Sequence, residues 1–350
     1  MNNLFHGKGV WHFGAGRFFT AAALLTLFVS CNHNTPVQIF GQAQGTYYSI
    51  QYRDRQHRNL QPQIDSLLDA FDQEVSLWVD SSLLRRVNSN ETTTITPLFA
   101  DILSKSLQIH DYTDGAFDCR IGRLVQAWGF SFKQRCEPDS VEMATLLQAA
   151  RAAVTLDTVD GQLILRKENP ATELDFNAIA QGYASDLVGK MLERYGIHDY
   201  LVDIGGEVVA HGEKAPNTPW RVGIEKPAAS DTSAPVVMTA ITLGNASVVT
   251  SGSYRKYYER DGVRYSHTID PATGYPVGHT LLSVSVIEDE SWLADAMATA
   301  YMVMGLDKAR AFIDAHPDGP GTRAVLFIYD DHGTLKIYAT EEFNKLEINP

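Results

Sequence analysis

The chain has 350 residues, of which 44% are hydrophobic and 20% are charged, ordinary values for a globular protein. Its formal net charge of −13 argues against a nucleic-acid-binding protein, because such proteins present basic surfaces. The acidic balance does not exclude an anionic ligand, since a bound cation reverses the local field.

The N-terminal residues have the pattern of an export signal. An apolar run over residues 18–30 follows basic residues; it is shorter than the about 20 residues that span a bilayer, but it suits a secretory signal. The run ends at Cys31 in a sequence that resembles a bacterial lipobox. We therefore predict a lipoprotein signal peptide over residues 1–30 and a lipid-anchored tether over residues 31–40, on the periplasmic face of the inner membrane. An ordinary signal peptide and a buried N-terminal helix are the alternatives.

The first half of the remaining chain has mainly helical patterns. One strand is predicted from Phe40 to Tyr52, with two glycines as breaks. Apolar residues then recur at helical spacing. The helices predicted from this spacing cover residues 60–75, 98–107, 139–150 and 178–192.

The second half has mainly strand patterns, which cover residues 200–204, 220–225, 236–243, 246–250, 263–269 and 281–287. A closing hairpin is predicted over residues 323–329 and 335–339. Two helices are predicted between these strands, over residues 292–304 and 308–315. Helices followed by strands favour an α+β fold in one compact unit over a doubly wound sheet.

Two cysteines, Cys119 and Cys136, follow Cys31. Export permits a disulfide between them, but two cysteines define no framework, so the pairing stays open. Neither lies in a CxxC motif, which argues against a zinc site.

The first candidate site is a carboxylate and a hydroxyl on one helix. Asp295 and Thr299 are four residues apart, which places both oxygen atoms on one helix face. Mg²⁺ prefers oxygen ligands and keeps waters or substrate phosphates in its shell, so the pair is a candidate metal site. The alternative is a carboxylate that only faces the positive end of the helix dipole.

Two further candidates lie at turns that follow strands. Asp175 precedes a predicted helix whose N-terminus suits a phosphate group, although an N-cap role explains Asp175 equally well. Gly205 and Gly206 permit a tight turn or close approach of a ligand. A structural turn is the favoured interpretation of the glycine pair, because no GxGxxG motif is present.

The last candidates are an aromatic segment and a histidine. The segment from Ala116 to Phe130 is rich in aromatic residues and glycine, which suits the wall of a flat-ring site or an ordinary core. His267 is a candidate base, since a neutral imidazole near pH 7 accepts a proton from an attacking hydroxyl. A histidine whose polar atoms are merely satisfied is the alternative.

Taken together, these segments resemble the ApbE family, the FAD:protein FMN transferases. The similarity extends from about Gly41 to Gly305, and the order of the segments is more specific than any one of them. The resemblance implies a single compact α+β unit of mixed helices and antiparallel strands, related to the T-fold, over residues 41–345.

The resemblance also implies roles for particular residues. Mg²⁺ would be bound by Asp295, Thr299 and the backbone carbonyls of Ala178 and Ala298. His267 would be the base for the acceptor hydroxyl. The FAD site would be lined by Gln44, Trp78, Ala116, Phe117, Asp118, Asp175, Gln181 and Ile269.

The implied activity is Mg²⁺-dependent transfer of FMN from FAD to a Thr or Ser hydroxyl of an acceptor flavoprotein, with release of AMP. Implied acceptors are flavoprotein subunits of redox-driven ion pumps and related exported flavoproteins. A Mg²⁺-dependent FAD pyrophosphatase and a non-catalytic FAD-binding lipoprotein are the alternatives. Gln181 stands where the family commonly has Lys or Glu, so we expect altered FAD affinity rather than lost activity. Trp78 replaces a common Tyr and can still stack, and Gln44 replaces a usual Met, which is expected to change packing against the flavin or adenine.

Overall fold

The fold is that of a computed structural model, which describes residues 36–130, 138–227, 236–253, 257–260 and 263–348, with backbone only for residues 257–260 and 263–265. The signal peptide, Cys31 and Cys136 lie outside the described residues, so lipidation remains a prediction and the pairing of Cys119 with Cys136 remains open. Cys119 is described, and its thiol is buried.

Most of the described strands lie in the second half of the chain, whereas most of the helices lie in the first half. The helices are α1 (Gln61–Val75), α2 (Leu83–Asn88), α3 (Pro97–Tyr112), α4 (Gly122–Ala127), α5 (Ser140–Arg151), α6 (Ala180–Arg194), α7 (Ser291–Ala315) and α8 (Glu341–Leu346). The strands are β1 (Val37–Ala43), β2 (Thr46–Tyr52), β3 (Thr94–Ile95), β4 (Val154–Val159), β5 (Gln162–Lys167), β6 (Tyr200–Ile204), β7 (Glu207–His211), β8 (Trp220–Glu225), β9 (Val237–Leu243), β10 (Ala246–Gly252), β11 (Tyr257–Arg260), β12 (Val263–Ser266), β13 (Leu281–Glu288), β14 (Ala324–Asp331), β15 (Thr334–Ala339) and β16 (Glu347–Ile348).

An antiparallel sheet of eight strands is the centre of the fold, in the order β1-β2-β6-β7-β10-β13-β14-β15. Its two faces are both covered, and neighbouring residues of one strand therefore enter different cores. Val249 belongs to the core under α6 and α7, whereas Val248 belongs to a second core with Trp220 and Phe343. This second core lies beneath the small sheet β16-β9-β8 and helix α8.

The predicted α+β fold is confirmed, and most predicted elements are present within a few residues. The single strand predicted from Phe40 to Tyr52 is wrong, because β1 and β2 form a hairpin. Its turn is Gln44-Gly45, with φ angles of 53° and 72°. The glycine that suggests a break in one strand is the residue that permits the turn.

Helix α7 contains a break that the sequence also predicts. Gly305 has φ 72° and ψ 168°, so α7 consists of two helical segments, in agreement with the two helices predicted there. The Nε2 atom of His279 lies 2.7 Å from the carbonyl oxygen of Met302, near the end of the first segment. No helix among the described residues is both long and apolar enough to cross a membrane.

Candidate active site

Helices α6 and α7 approach each other closely at a glycine. A Cβ atom at Gly182 would lie 2.3 Å from the backbone oxygen of Ser291 and 2.8 Å from the Cβ of Asp295. A side chain therefore does not fit at this position, and glycine permits the short separation. The Gly182 N–H donates to Oδ2 of Asp295 at 3.1 Å. We call the contact formed by Gly182, Asp186, Ser291 and Asp295 the α6–α7 interface.

Asp295 is a buried carboxylate, with 5% of its surface exposed. Burial raises its pKa to about 7, the hydrogen bond from Gly182 opposes this shift, and the nearby charge of Asp186 adds to it. A carboxylate in such surroundings is favoured in its ionised form when a cation binds beside it. The observed electrostatics therefore suit a cation site at Asp295.

The oxygen atoms near Asp295 are of the kinds that Mg²⁺ prefers. Thr299 follows one helical turn later, and its Oγ1 lies 3.4 Å from Oγ of Ser251 at the end of β10. Ala298 is buried on the same helix, and Ala178 lies in the turn before α6. No three His, Cys, Asp or Glu side chains form a metal cluster in the described part of the chain. One carboxylate with hydroxyl and carbonyl oxygens fits a hard cation that keeps waters or phosphates as further ligands.

Two tight turns of the main sheet lie beside the start of α6. The N–H of Gly205, in the β6–β7 turn, donates to the carbonyl of Tyr47 at 3.0 Å. A Cβ atom at Gly205 would lie 2.8 Å from Cγ2 of Thr46, 3.1 Å from Nε2 of Gln181 and 3.3 Å from Oε2 of Glu207. The structure thus brings Gln181 next to both turns. Glu207 was not predicted for the site, although it directly follows the glycine pair.

Gln44 and Trp78 differ in burial. The Oε1 atom of Gln44 is buried and has no hydrogen-bond partner among the described residues. Burial raises the pKa of Asp72, and hydrogen bonds from Gln44 oppose that shift. A buried acceptor without a partner is costly, so a ligand N–H at this position would stabilise the protein. Trp78 is 63% exposed, which leaves much of its indole surface accessible for stacking.

Asp175 lies in a segment that pairs with residues 119–122. Its N–H donates to the carbonyl of Cys119 at 2.7 Å. Burial raises the pKa of Asp175 to about 6, and its Oδ1 accepts a hydrogen bond from the N–H of Asn177 at 2.8 Å. Helix α6 has Ile179 as its N-cap residue, so the alternative role of Asp175 as the helix N-cap is wrong.

Asp118 is paired within the protein. Arg120 contacts both carboxylate oxygens at 2.9 Å, through Nε and Nη2. Nε2 of His110 lies 2.8 Å from the same guanidinium group. Phe117 and Ile269 are each 2% exposed, and Ala116 packs against the same core as Phe117. The side chains of Phe117 and Ile269 are therefore buried in the protein, and the side chain of Asp118 is held by Arg120.

His267 follows β12 and precedes a well-anchored turn. Its ring lies edge-on to Phe130, with 6.3 Å between the ring centroids. The indole N–H of Trp128 donates to the carbonyl of Gly274 at 2.7 Å. Ile269 packs with Trp128 in a small third core. The aromatic segment therefore positions the turn after His267 and forms part of a core, and its role as a site wall stays a prediction.

Sequence comparisons identify relatives along most of the chain. A sequence model of the ApbE family matches residues 44–324. The chain is 34% identical over 336 residues to the FAD:protein FMN transferase of Vibrio cholerae serotype O1, covering 93% of this chain and 97% of the relative. It is 36% identical over 318 residues to the FAD:protein FMN transferase of Escherichia coli K12, covering 84% and 89%.

Solved structures show the same fold. The flavin transferase ApbE from Vibrio cholerae has a TM-score of 0.76 and 31% identity, over 89% of this chain and 99% of that one. The ApbE protein from Thermotoga maritima has a TM-score of 0.78 and 26% identity, over 90% and 100%. Sequence and structure together show that this chain belongs to the ApbE family and is a transferase.

Proposed function

We propose that the chain transfers FMN from FAD to a Thr or Ser hydroxyl of an acceptor flavoprotein, depends on Mg²⁺ and releases AMP. The relatives named FAD:protein FMN transferase support this activity. The observation that carries the metal dependence is the buried Asp295 carboxylate, which lies one helical turn before Thr299 on α7. The acceptors are proposed to be exported flavoproteins, including subunits of redox-driven ion pumps.

The reaction forms a bond between the acceptor oxygen and the FMN phosphorus and breaks the bond from that phosphorus to the AMP oxygen. When bound, Mg²⁺ supplies charge neutralisation at the pyrophosphate and at the leaving AMP oxygen. Asp295 and Thr299, with the carbonyl oxygens of Ala178 and Ala298, would bind that cation. His267 accepts the proton of the acceptor hydroxyl as the new bond forms.

The remaining site residues orient FAD. The start of α6 offers the positive end of a helix dipole to phosphate oxygens, whereas its Ala180 and Gly182 N–H groups already donate to Phe176 and Asp295. The buried Oε1 of Gln44 accepts a hydrogen bond from a ligand N–H, and Trp78 offers an aromatic surface for stacking. Because phosphoryl transfer needs mainly alignment and charge neutralisation, these positioning contacts are the protein's main contribution.

The test is mass spectrometry of an acceptor after incubation with the protein, FAD and Mg²⁺. The acceptor carries an exported Asp-x-x-(Thr/Ser)-Gly-Ala-(Thr/Ser) segment. We expect a mass gain of FMN minus water, which EDTA prevents and which His267→Ala lowers by about 100-fold or more, the usual contribution of a general base. Free FMN and AMP without acceptor labelling would instead establish a pyrophosphatase, and intact FAD with two different acceptors would indicate a binding protein.

We also propose that Cys31 is lipidated and anchors the enzyme to the membrane. Strand β1 begins at Val37, so the tether that the structure leaves between Cys31 and the sheet is short. Acceptors would therefore lie close to the membrane surface. Incorporation of a labelled fatty acid in cells, lost in Cys31→Ser, is the expected result; equal labelling of both proteins would contradict it.

A further inference from the structure

Helix α7 is capped by a side chain of another helix. The first N–H groups of a helix have no partner within the helix and need acceptors from elsewhere. At α7 the N-cap residue, Glu290, makes no side-chain cap. Asp186 of α6 takes that role: its Oδ1 accepts from the N–H of Ser291 and its Oδ2 from the N–H of Trp292, both at 2.9 Å.

This cap and the Asp295 contact are reciprocal. Asp186 of α6 accepts hydrogen bonds from the first turn of α7, and Asp295 of α7 accepts one from Gly182 in the first turn of α6. Along each helix the carboxylate and the donor are about one turn apart. A slide or rotation of α7 against α6 would therefore break the contacts of both carboxylates together.

Burying the Asp186 carboxylate to cap α7 costs folding free energy, so this residue is expected to do more than stabilise the helix. Asp186 is only 8% exposed, and burial raises its pKa to about 6 while the two N–H bonds oppose the shift. A Ser or Asp at the N-cap position would satisfy the helix without burying a charge in another element. Glu290 occupies that position and instead contacts the indole N–H of Trp292 at 2.9 Å and Lys190 at 3.3 Å.

We propose that Asp186 is a positioning residue for the metal-binding carboxylate. By capping α7 from α6, it fixes the turn that carries Asp295, so that Asp295 stays at Gly182 and Thr299 stays at Ser251. This inference rests on the proposed function, in which Asp295 and Thr299 bind Mg²⁺. Both oxygens of Asp186 accept backbone hydrogen bonds from α7, so the role proposed for Asp186 is to position that helix rather than to bind the metal.

The test compares Asp186→Ala with a matched cap elsewhere. Asp139 caps α5 by the same chemistry, since its Oδ1 accepts from the N–H groups of Val141 and Glu142, each at 2.9 Å, and Asp139 is exposed. Mn²⁺ binding in the presence of FAD is measured by electron paramagnetic resonance, and the Mg²⁺ concentration for half-maximal transfer is measured separately. Both variants are expected to melt at lower temperature than the wild type.

We expect Asp186→Ala to weaken Mn²⁺ binding and to raise the Mg²⁺ requirement by about 10–100-fold, the usual effect of residues that orient metal ligands. Asp139→Ala should leave both values unchanged. Asp186→Asn retains one acceptor oxygen and should lie between Asp186→Ala and the wild type.

A folded Asp186→Ala protein with the wild-type Mn²⁺ affinity would overturn the inference. If Asp186→Ala does not fold, the Mn²⁺ affinity of Asp186→Asn is measured instead, and a wild-type value for that variant would overturn the inference. Wild-type protein that transfers FMN without any divalent cation would instead overturn the proposed metal dependence, and with it the role of Asp186. The wild-type measurement therefore separates failure of the proposed function from failure of the inference.

Discussion

The α6–α7 interface and the segment before α4 both bury carboxylate groups, and the two regions compensate the charge differently. At the α6–α7 interface, Asp186 and Asp295 accept backbone N–H bonds, and burial raises the pKa of both. Before α4, Asp118 is contacted on both oxygens by Arg120, so its charge is balanced inside the protein. A buried carboxylate without a cation is unfavourable, whereas a paired one is largely self-sufficient. The proposed cation site therefore lies where the carboxylates lack a cationic partner among the described residues, and the charge of Asp118 is balanced by Arg120.

The strongest test of this contrast is Asp295→Asn. We expect FMN transfer to fall by more than about 100-fold, since the carboxylate is the only charged group proposed to bind the cation. The unfolding temperature without ligands should stay equal or rise, because the change removes a buried charge. Transfer rates and thermal melting of the same preparation check both expectations. A variant that transfers normally in Mg²⁺ would remove Asp295 from the site.

The second test changes the spacing of the α6–α7 interface. Gly182→Ala places a methyl group 2.3 Å from the backbone oxygen of Ser291, so the helices must separate. We expect about 1–3 kcal/mol of lost stability, the usual effect of overpacking, together with a higher Mg²⁺ requirement. The control is Gly244→Ala, because a Cβ atom there meets nothing within 4 Å. Equal unfolding free energies for the two variants would contradict the importance of the close approach.

The third test removes the ion pair between Arg120 and Asp118. Arg120→Met leaves Asp118 buried without its partner and should cost about 3 kcal/mol of unfolding free energy. The Mg²⁺ concentration for half-maximal transfer should stay unchanged, because Arg120 rather than the metal balances the charge of Asp118. Combining Arg120→Met with Asp118→Asn should restore part of the stability, because no unpaired charge then remains. Denaturant unfolding measures all three values, and a double variant less stable than Arg120→Met alone would refute the pairing argument.

The smallest expected effects are on the pH dependence of the unfolding free energy. Two other carboxylates, Asp54 and Asp175, should contribute to it with opposite signs. A hydrogen bond from Arg58 lowers the pKa of Asp54 from 3.8 to about 2, so its stabilisation is present above pH 3.8 and is lost as the pH falls towards 2. Burial raises the pKa of Asp175 from 3.8 to about 6, so stability decreases as the pH rises from 3.8 to 6.

Denaturant unfolding between pH 2 and pH 7 would show both effects. Asp54→Asn should flatten the acid end of the stability profile, and Asp175→Asn should flatten the part between pH 4 and pH 6. A profile of either variant that parallels the wild type throughout would show that the residue does not titrate in the way its surroundings indicate.

Periodicity predicted the longer helices well, because each of them buries one apolar face in a core. The bounds of α1, α3, α5 and α6 agree with the sequence within a few residues at most ends. The β4–β5 hairpin was not predicted, since its strands are mostly exposed and lack a clear apolar alternation. Its Asp160-Gly161 turn was the available signal.

The candidate site was predictable only where its residues are close in sequence. Asp295 and Thr299 share a helix face, so their spacing was informative. The cap from Asp186 to Ser291 joins residues 105 apart and depends on how two helices pack, which no local pattern encodes. Asp118 and Arg120 are two residues apart, and these neighbouring opposite charges could have predicted the ion pair between them.

The break at Gly305 has a consequence for how this protein tolerates insertions and deletions. One added residue rotates everything beyond it in a continuous helix by about 100°. Because α7 is interrupted at Gly305, a length change in its second segment does not alter the rotational register of Asp295 and Thr299. The contact of His279 with the Met302 carbonyl ties the first segment to the loop before β13 on the upstream side of that break. The C-terminal part of α7 is thus able to diverge in length while the helix face that carries Asp295 and Thr299 keeps its orientation.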